Sequence, residues 1–203
     1  EPITEYLPEF SVNSAFESDP ERLMTIRHLL SHTAGLTHEA PIGSNYGLED
    51  ASFDEHHESI SQTWLRFPVG HHCEYSNLGV DVAGAIVESK MRASFSDAVR
   101  ELVFEPLGLE DSTYDLGTIA AAPDRETGQE PGFAAVQIKV PMVPSGGLYT
   151  RLDDALEFAA FHTRHSVEQL DEPTHRDQIH LQVSAPGHQS RSAIGNPHQP
   201  RRR

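Results

Sequence analysis

Apolar residues recur along this chain in short helical patterns separated by stretches with no period. Leu78, Val82 and Ile86 fall four residues apart with Ala83 and Val87 beside them, a spacing that predicts a long helix with one buried face. Pro68 and Gly70 keep an earlier helix from running into it, and Ser76 or Asn77 can cap it by accepting a bond from its free N–H groups. Ile26, Leu29 and Leu30 predict a shorter helix capped by Thr25, with His32 inside it and Gly35 as its left-handed stop. A third is expected from Asp54, carrying Ile60, Trp64 and Leu65 on its apolar side and His56 and His57 on its polar side. Phe95, Val99, Leu102 and Val103 share a face over 94–105. Leu152, Leu156, Phe158, Ala159 and Phe161 predict a deeply buried final helix, opened by Thr150 and Asp153 in an approximate capping-box relation.

The remaining segments read differently. Residues 2–10 predict one short helical turn closed by Pro8, with Ile3, Tyr6 and Leu7 turned inward. Residues 37–53 and 120–132 read as loops. Residues 135–143 are the best strand candidate, with Val136, Ile138, Val140 and Met142 on one parity, although Pro141 confines such a strand to an edge. From Arg164 the periodicity ends, and five His, six Arg and four Pro with few large apolar residues predict a disordered or non-homologous tail over 164–203, for which a shifted reading frame is one explanation. The expected organisation is a partial domain over 1–163 followed by that tail.

Charge sharpens this division. Residues 1–163 hold 27 acidic and 9 basic side chains, a formal −18, whereas 164–203 hold 4 and 6, a formal +2. An acidic body repels phosphates, so nucleic acid is not an expected partner. Only Lys90 and Lys139 are lysines, a composition that fits either salt adaptation or GC-rich codon usage. No run approaches the roughly 18 apolar residues of a membrane span, and the single Cys73 leaves no internal disulfide framework. The chain starts at Glu1 without a Met, which suggests a processed protein or a fragment.

Most candidate chemical groups read as ordinary structure. His71, His72 and Cys73 are adjacent, and neighbours in sequence rarely point at one ion, so a solvated loop is expected there. Ser44 lacks a Gly-x-Ser-x-Gly elbow, and Gly146-Gly147 reads as a tight turn. Tyr75-Ser76-Asn77 is different, because it stands within an ordered series. Thr25-Ile-Arg-His-Leu-Leu-Ser-His-Thr-Ala-Gly-Leu36, Phe67-Pro-Val-Gly70, Tyr75-Ser-Asn-Leu-Gly79, Phe104-Glu-Pro-Leu-Gly-Leu-Glu-Asp-Ser-Thr113 and Pro144-Ser-Gly-Gly-Leu-Tyr-Thr150 together resemble the serine β-lactamase-related family, with its class C type β-lactamases, esterases and D-peptidases, over residues 1 to about 163.

That resemblance implies an α+β class, the β-lactamase/transpeptidase-like fold, of which this chain supplies mainly the helical region. It also implies an acyl-enzyme mechanism on a small-molecule or peptide substrate (a β-lactam, an ester or a D-amino-acid peptide), with no cofactor and no metal. Of the family's three catalytic elements, the Tyr-x-Asn loop carries over, onto Tyr75 and Asn77. The Ser-x-x-Lys element does not, since Val87 and Val136 stand three before the two lysines, and no Lys-Ser/Thr-Gly or His-x-Gly triplet occurs. A tyrosine with an ordinary pKa near 10 is a poor base at neutral pH unless a nearby cation stabilises its phenolate. The chain as given is therefore expected to be inactive, either as a fragment of a serine hydrolase or as a non-catalytic binding domain or truncated product. Oligomeric state and localisation are not legible.

Overall fold

The computed structural model describes residues 1–43, 51–122 and 141–164. Its centre is α3 (Asn77–Met91), the helix expected from the Leu78/Val82/Ile86 spacing. Leu78 and Val82 are wholly buried, and Ser76 caps the start by accepting the Gly79 N–H at 3.1 Å. Arg92, in the left-handed conformation, closes the other end. Two glycines let neighbours approach. A Cβ on Gly79 would stand 2.9 Å from the carbonyl oxygen of Leu29, in α1 (Ile26–Leu30), and one on Gly84 would overlap Pro144, in α7 (Val143–Gly146). Backbones this close leave no room for a side chain between them, so α1 and α7 are held directly on α3.

Against this centre pack α2 (Phe53–Ser59) and α4 (Phe95–Val99), and the chain continues through α5 (Glu105–Leu107), α6 (Leu116–Ala121) and α8 (Leu152–Arg164). Ile3, Met24, Leu29, Leu36, Ile60, Leu78 and Val82 form the heart of the core, and Tyr6 and Leu7 pack partly buried against it, as the pattern of residues 2–10 implies. Among the described residues β structure is limited to isolated bridges, Pro2 with Thr25, Asn13 with Trp64 and Thr113 with Tyr149. The helical character matches the expected helical portion of an α+β fold. Residues 135–140 of the strand candidate, Ser44, Lys139 and the tail after 164 lie outside the described residues. Val143, at the candidate's end, opens α7.

Several local expectations are corrected. Thr25 does cap α1, in a reciprocal box with His28, but the helix ends at Leu30. His32 adopts φ 57° beyond the helix rather than inside it, so the turn reverses before Gly35. The cap of α2 is Ser52, whose Oγ accepts the Glu55 N–H while Glu55 accepts the Ser52 N–H, and not Asp54. That helix stops before Trp64, which is 59% exposed, and His56 is fully buried instead of lying on a polar side. Over Arg100–Phe104 the helix widens into a π turn, which rotates the following residues. Phe104 is buried and Leu102 exposed as a result. The last helix is not deeply buried. Asp154 and Phe161, two turns apart, face inward, while Leu152 (73% exposed), Leu156 and Phe158 face out. Its anchor is polar, with Asp154 accepting the Asp111 N–H at 2.9 Å and the Ser112 hydroxyl at 2.8 Å.

Candidate functional site

The start of α3 is presented by the extended segment 71–76, which hydrogen-bonds back to the turn after α1. Gly70 N–H donates to the Thr33 carbonyl and Glu74 N–H to the His32 carbonyl, at 2.8 and 2.9 Å. The alternation of an extended chain then turns Tyr75 outward, 57% exposed, and Ser76 inward. The Ser76 hydroxyl is used twice, donating to the Thr37 carbonyl at 2.6 Å while capping α3. Asn77 is buried, and its amide nitrogen donates to Glu39 Oε1 at 2.8 Å with the Met142 sulfur 3.9 Å away. The exposed phenol of Tyr75 and the buried amide of Asn77 thus flank the Ser76 cap at the mouth of α3.

Three side chains that were not candidates in the sequence complete the mouth. His32 and His38 flank the Tyr75 ring, with ring centroids 4.8 and 5.4 Å from it. Burial lowers the pKa of His32, and its Nδ1 receives the Ser76 N–H at 3.4 Å, which assigns the remaining proton of the neutral ring to Nε2. Glu39, beside His38, supplies the carboxylate on Asn77. None of the three belongs to the Tyr-Ser-Asn block. His32 is the one with a local signal, because it lies in the Leu-Ser-His-Thr run.

Lys90, the lysine among the described residues, does not reach this mouth. Lys90 sits over the Tyr6 ring, 4.5 Å from its centroid, at the far end of α3. Thirteen residues separate it from Asn77, which is about 20 Å along a helix. His71, His72, Cys73 and Glu74 are exposed. The Cys73 thiol lies 3.4 Å from the Ser31 carbonyl, and Glu74 pairs with Arg66 at 3.0 Å. No cluster of three or more His, Cys, Asp or Glu side chains that could hold a metal occurs among the described residues.

Beneath the mouth lies a buried ionic pair. His56 Nε2 is 3.0 Å from Asp81 Oδ2, both side chains being fully enclosed, and His56 Nδ1 is 2.8 Å from the Ile42 carbonyl. The other Asp81 oxygen accepts the Ser145 N–H at 3.0 Å. Burial opposes charge on His56, but the Asp81 carboxylate and the Ile42 carbonyl favour it and the balance raises its pKa. Asp81 stands one turn after Asn77. A carboxylate on the apolar side of this helix is the one sequence signal for the pair.

Comparison with known proteins fits this geometry. The family model Beta-lactamase matches residues 1–197. Esterase EstB of Burkholderia gladioli is 34% identical over 167 residues, 74% of this chain and 41% of that protein. Penicillin-binding protein 4 of Amycolatopsis lactamdurans is 28% identical over 167 residues, 79% of this chain and 42% of that protein. Among solved structures, D-amino acid amidase from Ochrobactrum anthropi SV3 superposes with a TM-score of 0.65 at 24% identity, over 85% of this chain and 50% of that one, which shows a shared fold. The chain spans half or less of the length of these three relatives. With a family model running almost from end to end and the Tyr-Ser-Asn turn set at the head of a buried helix, this chain belongs to the β-lactamase family.

Proposed function

We propose that this chain contributes the tyrosine and asparagine wall of a serine hydrolase site acting on a β-lactam, an ester or a D-amino-acid amide or peptide. The observation that carries the reading is the Tyr75–Asn77 mouth, with an exposed phenol and a buried amide fixed by the cap of α3. In such a reaction a serine oxygen bonds to the substrate carbonyl carbon, the amine or alcohol leaves with a proton, and water hydrolyses the resulting ester. In this reading Tyr75 carries that proton, and Asn77 orients the substrate amide or a lysine. No Ser-x-x-Lys pair and no Lys-Ser/Thr-Gly or His-x-Gly triplet occurs in this sequence. On the same reading they are supplied by sequence outside it.

The first test is the chain itself. Treated with a chromogenic β-lactam, a p-nitrophenyl ester or a fluorophosphonate and read by intact mass, it should form no stoichiometric adduct. An adduct mapped to Ser31, Ser76 or Ser145 would refute the absence of a nucleophile. In a version extended to include a Ser-x-x-Lys helix and closing strand, Tyr75→Phe should slow acylation or deacylation by roughly a hundredfold or more, as for removal of a general base. Unchanged turnover there would remove the catalytic role given to Tyr75, and an extended protein with no turnover at all would favour the second reading, a non-catalytic binding domain. That alternative draws on the Asn77 amide being already engaged by Glu39.

A further inference from the structure

The buried pair beneath the mouth touches each of its walls. Asp81 is on α3, four residues after Asn77. Its second oxygen holds Ser145 of α7, the helix whose preceding residue, Met142, lies against the Asn77 amide. His56 reaches from α2 to the Ile42 carbonyl, at the end of the segment that carries Thr37, His38 and Glu39. Those three residues respectively accept the Ser76 hydroxyl, flank the Tyr75 ring and accept the Asn77 amide. Gly43, the next residue, is so close to the imidazole that a Cβ there would lie 3.3 Å from Nδ1.

Both ring nitrogens of His56 face acceptors. A carbonyl accepts only, so Nδ1 must carry a proton, and an ionised Asp81 requires one on Nε2 as well. Hydrogen-bond geometry thus calls for an imidazolium buried against a carboxylate, a pair with no net charge. Among the described residues, the other titratable groups acting on His56 are Glu39, which favours its charge, and the adjacent His57, whose own pKa is lowered by burial and by proximity to His56.

We propose that His56 is a positioning residue for the Tyr75–Asn77 mouth: its imidazolium, held by Asp81, clamps the 37–42 segment and α7 onto the head of α3. When His56 loses a proton, one of its two acceptors loses its donor. The neutral carbonyl is the weaker partner, so Ile42 is released while Asp81 keeps Nε2–H and the Ser145 N–H. His38 and Glu39 then lose their anchor, and the mouth loosens without unfolding of the core. That the loosened element is a catalytic wall rests on the function proposed above; the clamp itself does not.

The test is an NMR titration of the chain as it stands, between pH 5 and 9, following the His56 ring nitrogens, the Asn77 side-chain amide and the Ser76 amide. Both His56 nitrogens should be protonated at the acid end, and the Asn77 signal should move with the His56 midpoint, as should Ser76 apart from a separate step at lower pH from His32, whose Nδ1 its N–H meets. In Asp81→Asn, whose amide oxygen still accepts the Ser145 N–H while its NH2 can donate to a neutral Nε2, His56 should be neutral at pH 7 and the coupled shifts should be lost. Phe104→Leu, a core change away from the mouth, should leave the coupled titration in place, which general destabilisation would not. The proposal is overturned if Asn77 and Ser76 stay fixed while His56 titrates, or if His56 is neutral across the range. Should Asp81→Asn not fold, the titration of the unaltered chain decides alone. Loss of the coupling would leave the Tyr75→Phe result in the extended protein untouched, so the two readings fail separately.

Discussion

Asn77 donates its side-chain amide to Glu39 across 2.8 Å, and both groups are largely withdrawn from water. A residue expected to orient substrate or lysine is thus also a structural fastener between α3 and the preceding segment. Asn77→Ala removes a donor from a nearly buried carboxylate, which costs about 1–3 kcal/mol. Urea unfolding should show this as a lower midpoint at unchanged slope, with Glu39→Gln costing less because an amide oxygen still accepts. An Asn77→Ala variant as stable as the parent would mean that the bond is idle.

Gly84 should not tolerate a methyl group. Its Cβ would overlap Pro144, a rigid ring in α7, so Gly84→Ala must push α7 off α3 at a cost of about 1–3 kcal/mol. The gain in helix propensity offsets this by about 1 kcal/mol at most. Thermal unfolding measures the net loss, and a melting temperature equal to or above the parent's would show that α7 yields freely.

Leu152 and Leu156, one turn apart on α8, are exposed, as are Leu148 and Phe158, and exposed apolar side chains of this kind favour self-association. Light scattering should rise with protein concentration despite the net charge of −16. Replacing Leu152 and Leu156 by Lys and Glu should suppress the scattering, while each exposed change alters stability by only about 0.5 kcal/mol. A monodisperse parent at high concentration would contradict this.

The pH dependence of stability has two limbs of opposite sign. His32 and His57 have lowered pKa values from burial, so their contribution is complete above the unfolded value near 6.5 and is lost as pH falls toward their folded values. His56 is raised, so its contribution is complete below about 6.5 and is lost as pH rises through its folded value. Urea midpoints against pH should therefore pass through a maximum near neutrality. His57→Gln should flatten the acid limb only. A parent curve that climbs steadily from pH 6 to 9 would contradict the sign assigned to His56.

How much of this was legible in the sequence depends on whether a residue's partner was local. The period of α3, its cap at Ser76 or Asn77 and the Thr25 cap were legible because each rests on neighbours within one turn, and the structure chooses Ser76. His56 was not. Its helix position looks polar, and only the arrival of Asp81 from 25 residues away turns an imidazole inward. The same holds for α8, whose Leu152–Leu156 stripe has the right period for burial but whose docking is decided by Asp154 reaching Asp111 and Ser112. Periodicity says that a face is apolar, not that something covers it. Of the candidate site, Tyr75 and Asn77 come from the ordered motifs, whereas their contacts Glu39 and His38 come from a segment whose sequence has no period to read.

Cys73 gives the mouth a built-in reporter. It is the single cysteine, its side chain is exposed, and it precedes Tyr75 by two residues on the same extended segment, so both project from one side of the strand-like chain. A maleimide dye would attach at one place only, within a few ångströms of the phenol. Quenching of such a dye by an arriving ligand would register occupancy at the rim even in a chain that turns nothing over.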